Sequence, residues 1–166
     1  MHFRPKHFAA SLILLCAALF WAAPPLHAQT VSDKADKLVR LMKEDAYDYK
    51  TTTSPSVFII HLAGDHLKDI KVVLAIGDDT DSDLVIFVTV TPKATMPVTA
   101  DFRYTLLKFN HEFDQVKVGF DADDDLSVRI DGSMRLADAA YLKILIDQVK
   151  TASDEIYGKI QPSLRP

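Results

Sequence analysis

The C-terminal third constrains the fold most. Val116–Asp121 reads as a strand, Ala122–Asp125 as an acid-rich turn, Leu126–Ile130 as a second strand, and Leu136–Ile160 as a long amphipathic helix. In that helix Leu142, Leu145, Ile146, Val149, Ile156 and Ile160 recur at helical spacing and predict its buried face. Tyr141 and Ile144 fall beside that face and make it broader than one core contact needs. The excess points to a second partner, here expected to be another subunit, so Tyr141 and Ile144 are the candidate interaction residues.

Working back from this unit, a first helix is predicted from near Ser32 to Asp45 or Tyr49, with Ser32 or Thr30 as its cap. Thr51–Pro55 breaks it. Val57–Leu62, Ile70–Ile76 and Leu84–Thr91 are β-branched or aromatic runs joined by short turns, as in an antiparallel meander. Pro97 suits the first turn of a second helix, in which Val98, Phe102, Leu106, Phe109 and Phe113 form one stripe. The expected order is α-β-β-β-α-β-β-α. That order argues for an α+β fold with an antiparallel sheet and helices on one side, spanning residues 29–160 and followed by a loose tail, 161–166.

The N-terminus reads as an export signal over residues 1–28. Arg4 and Lys6 precede an apolar run from Phe8 to Ala23, and Leu26 and Ala28 occupy the positions of an A-x-A-like cleavage site. An uncleaved anchor is the alternative, but the run stops at Pro24-Pro25, short of a full span. The expected product starts at Gln29, has no stable membrane anchor, and is periplasmic or secreted. Cys16 is the only cysteine and leaves with the signal, which excludes disulfides, thiolate catalysis and cysteine-ligated metals. Loss of Arg4 and Lys6 makes the formal charge of −4 more negative by two, a balance unsuited to nucleic acid or anionic lipid.

The run Phe109-Asn110, Val116–Phe120, Asp121–Asp125, Leu126–Ile130 and the closing helix with Asp154-Glu155 resembles the YbjN family, grouped with the type III secretion chaperone-like fold. The resemblance is best over about residues 105–157 and extends over 31–104 by element order. It implies a role in regulation and protein interaction, without established catalytic residues.

The sequence offers no catalytic or cofactor constellation. Asp79-Thr80-Asp81-Ser82-Asp83 and Asp121-Ala122-Asp123-Asp124-Asp125 both begin like a calcium loop. Leu84 or Leu126 then stands where glycine is needed, and Val90 or Gly132 where the bidentate Glu is needed, so both clusters read as turn formers. His61, His66 and His111 fall in a strand, near a turn and at a helix end, with no spacing that brings them together on a metal. No nucleophile elbow or phosphate-cradling loop is present. The expectation is an exported non-enzymatic, cofactor-free domain that binds a protein or peptide segment as a homodimer. The alternative is a carrier of an apolar small molecule or lipid in a groove between sheet and helices.

Overall fold

The computed structural model describes residues 30–78 and 83–165; the expected signal segment with its cleavage point at Ala28, and residues 79–82 of the first aspartate cluster, lie outside the described residues. Helix α1, Val31–Glu44, starts at a capping box. The Thr30 hydroxyl accepts from the Asp33 N–H at 3.2 Å, and the Asp33 carboxylate accepts from the Thr30 N–H at 3.0 Å. The helix ends in a Schellman turn: the N–H of Tyr47 bonds the Met42 carbonyl at 2.9 Å and that of Ala46 bonds Lys43 at 3.1 Å, with Ala46 left-handed at φ 56°.

That reversal corrects the sequence reading, which allows the helix to reach Tyr49. Tyr49–Thr51 is instead a strand, β1. It is followed by β2 Val57–Leu62, β3 Ile70–Ile76, β4 Leu84–Thr91, helix α2 Ala100–Glu112, β5 Lys117–Phe120, β6 Leu126–Gly132 and helix α3 Ala139–Ile160. Among the described residues the sheet has six strands in the order β1-β2-β3-β4-β6-β5, each pair antiparallel. The fold is α+β, as the pattern predicts, with β1 as the added strand.

Alternation sets the core. Phe58, Ile60, Val72, Leu74, Ile86, Val88, Val128 and Ile130 point to one face and are buried. Leu38 and Met42 of α1, Phe102, Leu106 and Phe109 of α2, and Leu142, Leu145, Ile146, Val149 and Ile156 of α3 are buried in the same cluster. Burying one such side chain contributes about 1.5–3 kcal/mol. The layer between sheet and helices is therefore filled, and the apolar hollows described below lie at the surface rather than between sheet and helices.

Two further expectations change. Val98 is 77% exposed and lies outside the stripe, because Thr99 caps α2 by accepting from the Phe102 N–H at 3.2 Å. The tail is held rather than loose: Gln161–Ser163 forms a 3-10 turn, Leu164 packs on the core, and the Arg165 N–H donates to the Thr95 carbonyl at 2.7 Å while its guanidinium bonds that of Met96.

Candidate protein-interaction surface

Helix α3 begins where the Asp138 carboxylate accepts from the Tyr141 N–H at 2.7 Å. From there the two candidate residues part company. Tyr141 is half-buried against the core, and its hydroxyl lies 3.5 Å from where a side chain on Gly132 would begin, so it covers the end of β6. Ile144 is 53% exposed. It lines a surface groove of about 390 Å³ with Phe113 and Val116 from the segment between α2 and β5; Tyr141 is not part of that groove.

The groove is rimmed by Glu112, Asp114 and Asp147. Two of these are engaged: Lys159 bonds Glu112 at 2.6 Å and Lys143 bonds Asp147 at 2.8 Å. The Lys159 ammonium also sits 5.3 and 5.7 Å from the ring centres of Phe109 and Phe113, which ties the end of α2 to α3. Gln148 adds a buried amide oxygen with no hydrogen-bond partner among the described residues. The exposed Ile144 side chain beside Phe113 suits a partner that brings an apolar side chain.

A second hollow, of about 410 Å³, lies at the other end of α2. Met96, Pro97, Val98, Phe102 and Phe120 form its apolar surface, with Lys93, Arg103 and Asp124 around it. Phe120 is 47% exposed.

Of the aspartates singled out in the sequence, Asp83, Asp121, Asp124 and Asp125 have defined partners. In the 121–125 turn the Asp121 carboxylate accepts from the N–H groups of Asp123 at 3.0 Å and Asp125 at 2.9 Å, and Asp124 is left-handed at φ 62°. Asp125 accepts from the Lys93 N–H at 2.8 Å, and Asp124 pairs with the Lys93 ammonium at 2.5 Å. The turn is thus docked onto the segment after β4.

Asp83, the one described acid of the first cluster with a defined partner, is buried. It pairs with the buried Lys34 of α1 at 3.0 Å and accepts from the Met134 N–H at 2.6 Å, while Lys37 donates to the Met134 carbonyl at 2.6 Å. Nothing in D-x-D-x-D distinguishes this one carboxylate from its neighbours.

The histidines stay apart. His61 pairs with Asp69 at 2.8 Å, and the ring of His66 lies where a side chain on Gly158 would stand. Beside His66, the buried Asp154 of α3 accepts from the N–H groups of Asp65 at 3.0 Å, His66 at 2.9 Å and Leu67 at 2.7 Å. Burial pushes this carboxyl up, but the three donors and the nearby His66 ring hold it below the usual range. Among the described residues no group of three or more His, Cys, Asp and Glu is placed to hold a metal. Nor is any described helix long and apolar enough to cross a membrane.

No protein-family model matches this chain, and no curated protein matches it. Solved structures do. The chain is similar to a chain of the ExsC–ExsE complex, with a TM-score of 0.56 and 12% identity over 80% of this chain and 96% of that one. A second similarity, with a TM-score of 0.49 and 15% identity over 72% of this chain and 96% of the other, is to the Yersinia pestis type III secretion chaperone SycH in complex with a stable fragment of YscM2. At such identities the likeness is one of fold, and the α+β fold with an antiparallel sheet expected from the element order is the one this chain has.

Proposed function

We propose that this chain is an exported, non-enzymatic interaction domain of YbjN-like, chaperone-like type, which binds a protein or peptide segment and self-associates through the Ile144 groove as a homodimer. One observation carries the reading: Ile144 is the large exposed apolar residue of a helix whose other apolar face is buried, and it lines a groove with Phe113 and Val116. A central apolar anchor of this kind carries a disproportionate share of binding energy. The likeness to a chain solved in the ExsC–ExsE complex adds support, since this fold can present a surface to a second protein. The pattern of residues 1–28 supports export.

A second reading, an apolar-ligand carrier, has the Val98–Phe120 hollow in its favour. A photo-reactive phenylalanine in place of Ile144 tests the first reading. Crosslinking should give a product of twice the chain's mass or an adduct to another polypeptide. A crosslink to lipid alone, with lipid retained in native mass spectrometry, contradicts it.

A further inference from the structure

The face of the sheet opposite the helices carries its own pattern. One register row crosses all six strands: Lys50, Ile59, Val73, Phe87, Arg129 and Lys117. The adjacent row adds Val57, Ala75, Val85 and Asp131. Val57, Ile59, Val73, Ala75, Val85 and Phe87 are neither fully buried nor fully exposed, and they adjoin one another across β2, β3 and β4. A sheet open to water on one side alternates apolar and polar residues, whereas near-continuous apolar strands are covered on both faces. These three strands are of the second kind along their middles, yet the described helices bury only the other face.

Charge brackets this apolar centre. Lys50 lies on one flank and Arg129 with Lys117 on the other, and Lys71 is exposed at the start of β3. Asp131 accepts from Lys117 and from the Arg129 Nε, each at 2.6 Å, so that trio keeps one positive charge. His61 and Asp69 pair with each other. Lys50 and Lys71 have no carboxylate partner within salt-bridge distance among the described residues. On a chain of net charge −4, a face whose flanks are basic is a local exception.

We propose that this face seats an amphipathic helix of a partner protein, apolar along its centre and lined with Asp or Glu on both flanks. β1 and β6 stand four strand spacings apart, about 19 Å. A helix is about 10–12 Å wide with its side chains. Laid along β3, it covers Ile59, Val73 and Phe87, and acids on its two flanks come within reach of Lys50 on one side and Arg129 on the other. A second copy of the chain fits poorly. In an aligned face-to-face pair centred on β3, a twofold along the strands sets Lys50 over Arg129. A twofold across the strands sets each of these cations over itself. The proposal deepens the protein-binding reading but uses the opposite side of the molecule from Ile144.

The test uses the purified protein and a synthetic 18-residue helical peptide, a leucine stripe flanked by glutamates, against the same peptide with lysine at each glutamate. Fluorescence anisotropy should show the glutamate peptide binding at least tenfold tighter. Phe87→Thr and Val73→Thr, which place a strand-compatible β-branched residue at each position and whose fold circular dichroism verifies, should each weaken it several-fold. Lys50→Glu with Arg129→Glu should reverse the preference, and Ile144→Asp should leave it unchanged. Equal binding of the two peptides, or a preference that survives the charge reversal, overturns the proposal. So does a dimer that Phe87→Thr splits into folded monomers, which assigns the face to a second copy. Loss of the dimer on Ile144→Asp alone bears on the groove and not on this face, so the two readings fail separately.

Discussion

Asn110 closes the outer edge of the sheet on Val118. Its amide nitrogen donates to the Val118 carbonyl at 3.0 Å, and its amide oxygen accepts from the Val118 N–H at 2.7 Å. β5 is an edge strand, so these two backbone groups would otherwise be free to pair with another chain. A helix side chain thus takes the place of one residue of a seventh strand.

Asn110→Ala should therefore destabilise the protein by about 1–3 kcal/mol, because both Val118 groups lose a partner in a half-buried site. Urea denaturation measures the loss. Asn110→Asp should cost a similar amount, since a carboxylate can accept from the N–H but cannot donate to the carbonyl.

The Asp154 clamp makes stability depend on acid. Its folded pKa lies below the unfolded value of about 3.9, so its contribution is present above that value and is lost as pH falls through the folded pKa. Unfolding free energy should fall from about pH 5 downward. Asp154→Asn should flatten that decline and cost about 1–3 kcal/mol at neutral pH, read by urea titrations across the acid range. Gly64→Ala should damage the same clamp, because a β-carbon there falls within contact-violating distance of the Asp154 carboxyl and the Ile70 side chain.

The Lys34–Asp83 pair is buried, so removing one member strands the other. Lys34→Met should cost about 3–5 kcal/mol by calorimetry or urea. Adding Asp83→Asn should recover much of that loss, since an amide keeps an acceptor for the Met134 N–H without a charge.

Ala46 holds the left-handed position of a Schellman turn that glycine usually fills. Ala46→Gly should raise stability by about 0.5–1 kcal/mol, the strain relieved exceeding the entropy added to the unfolded chain. A lower midpoint in urea would contradict this.

Elements with period and length were legible. The long α3 face follows from a 3.6-residue repeat, β2, β3 and β4 from β-branched and aromatic runs between short turns, and the 121–125 turn from its aspartates. β1 was not: three residues carry no measurable alternation, and the signal that ended α1 was a left-handed alanine rather than a glycine. Val98 continued the apolar spacing of α2, but the Thr99 cap placed it outside the helix. Of the candidate site, Ile144 was legible as an apolar residue off the main face. Its groove partners Phe113 and Val116 were not, because they arrive through tertiary packing from a segment read as core. Likewise the tail reads as loose, and the packing of Leu164 on the core and the Thr95 and Met96 carbonyls that Arg165 meets explain why it is held.

Sedimentation equilibrium of the parent protein and the Ile144→Asp variant, with circular dichroism on both, decides whether the Ile144 groove is an association surface. The parent should be dimeric and the variant folded and monomeric, because a carboxylate at an exposed position costs the monomer little and an apolar contact much. A parent that is monomeric at micromolar concentration, or a variant that stays dimeric, would contradict it.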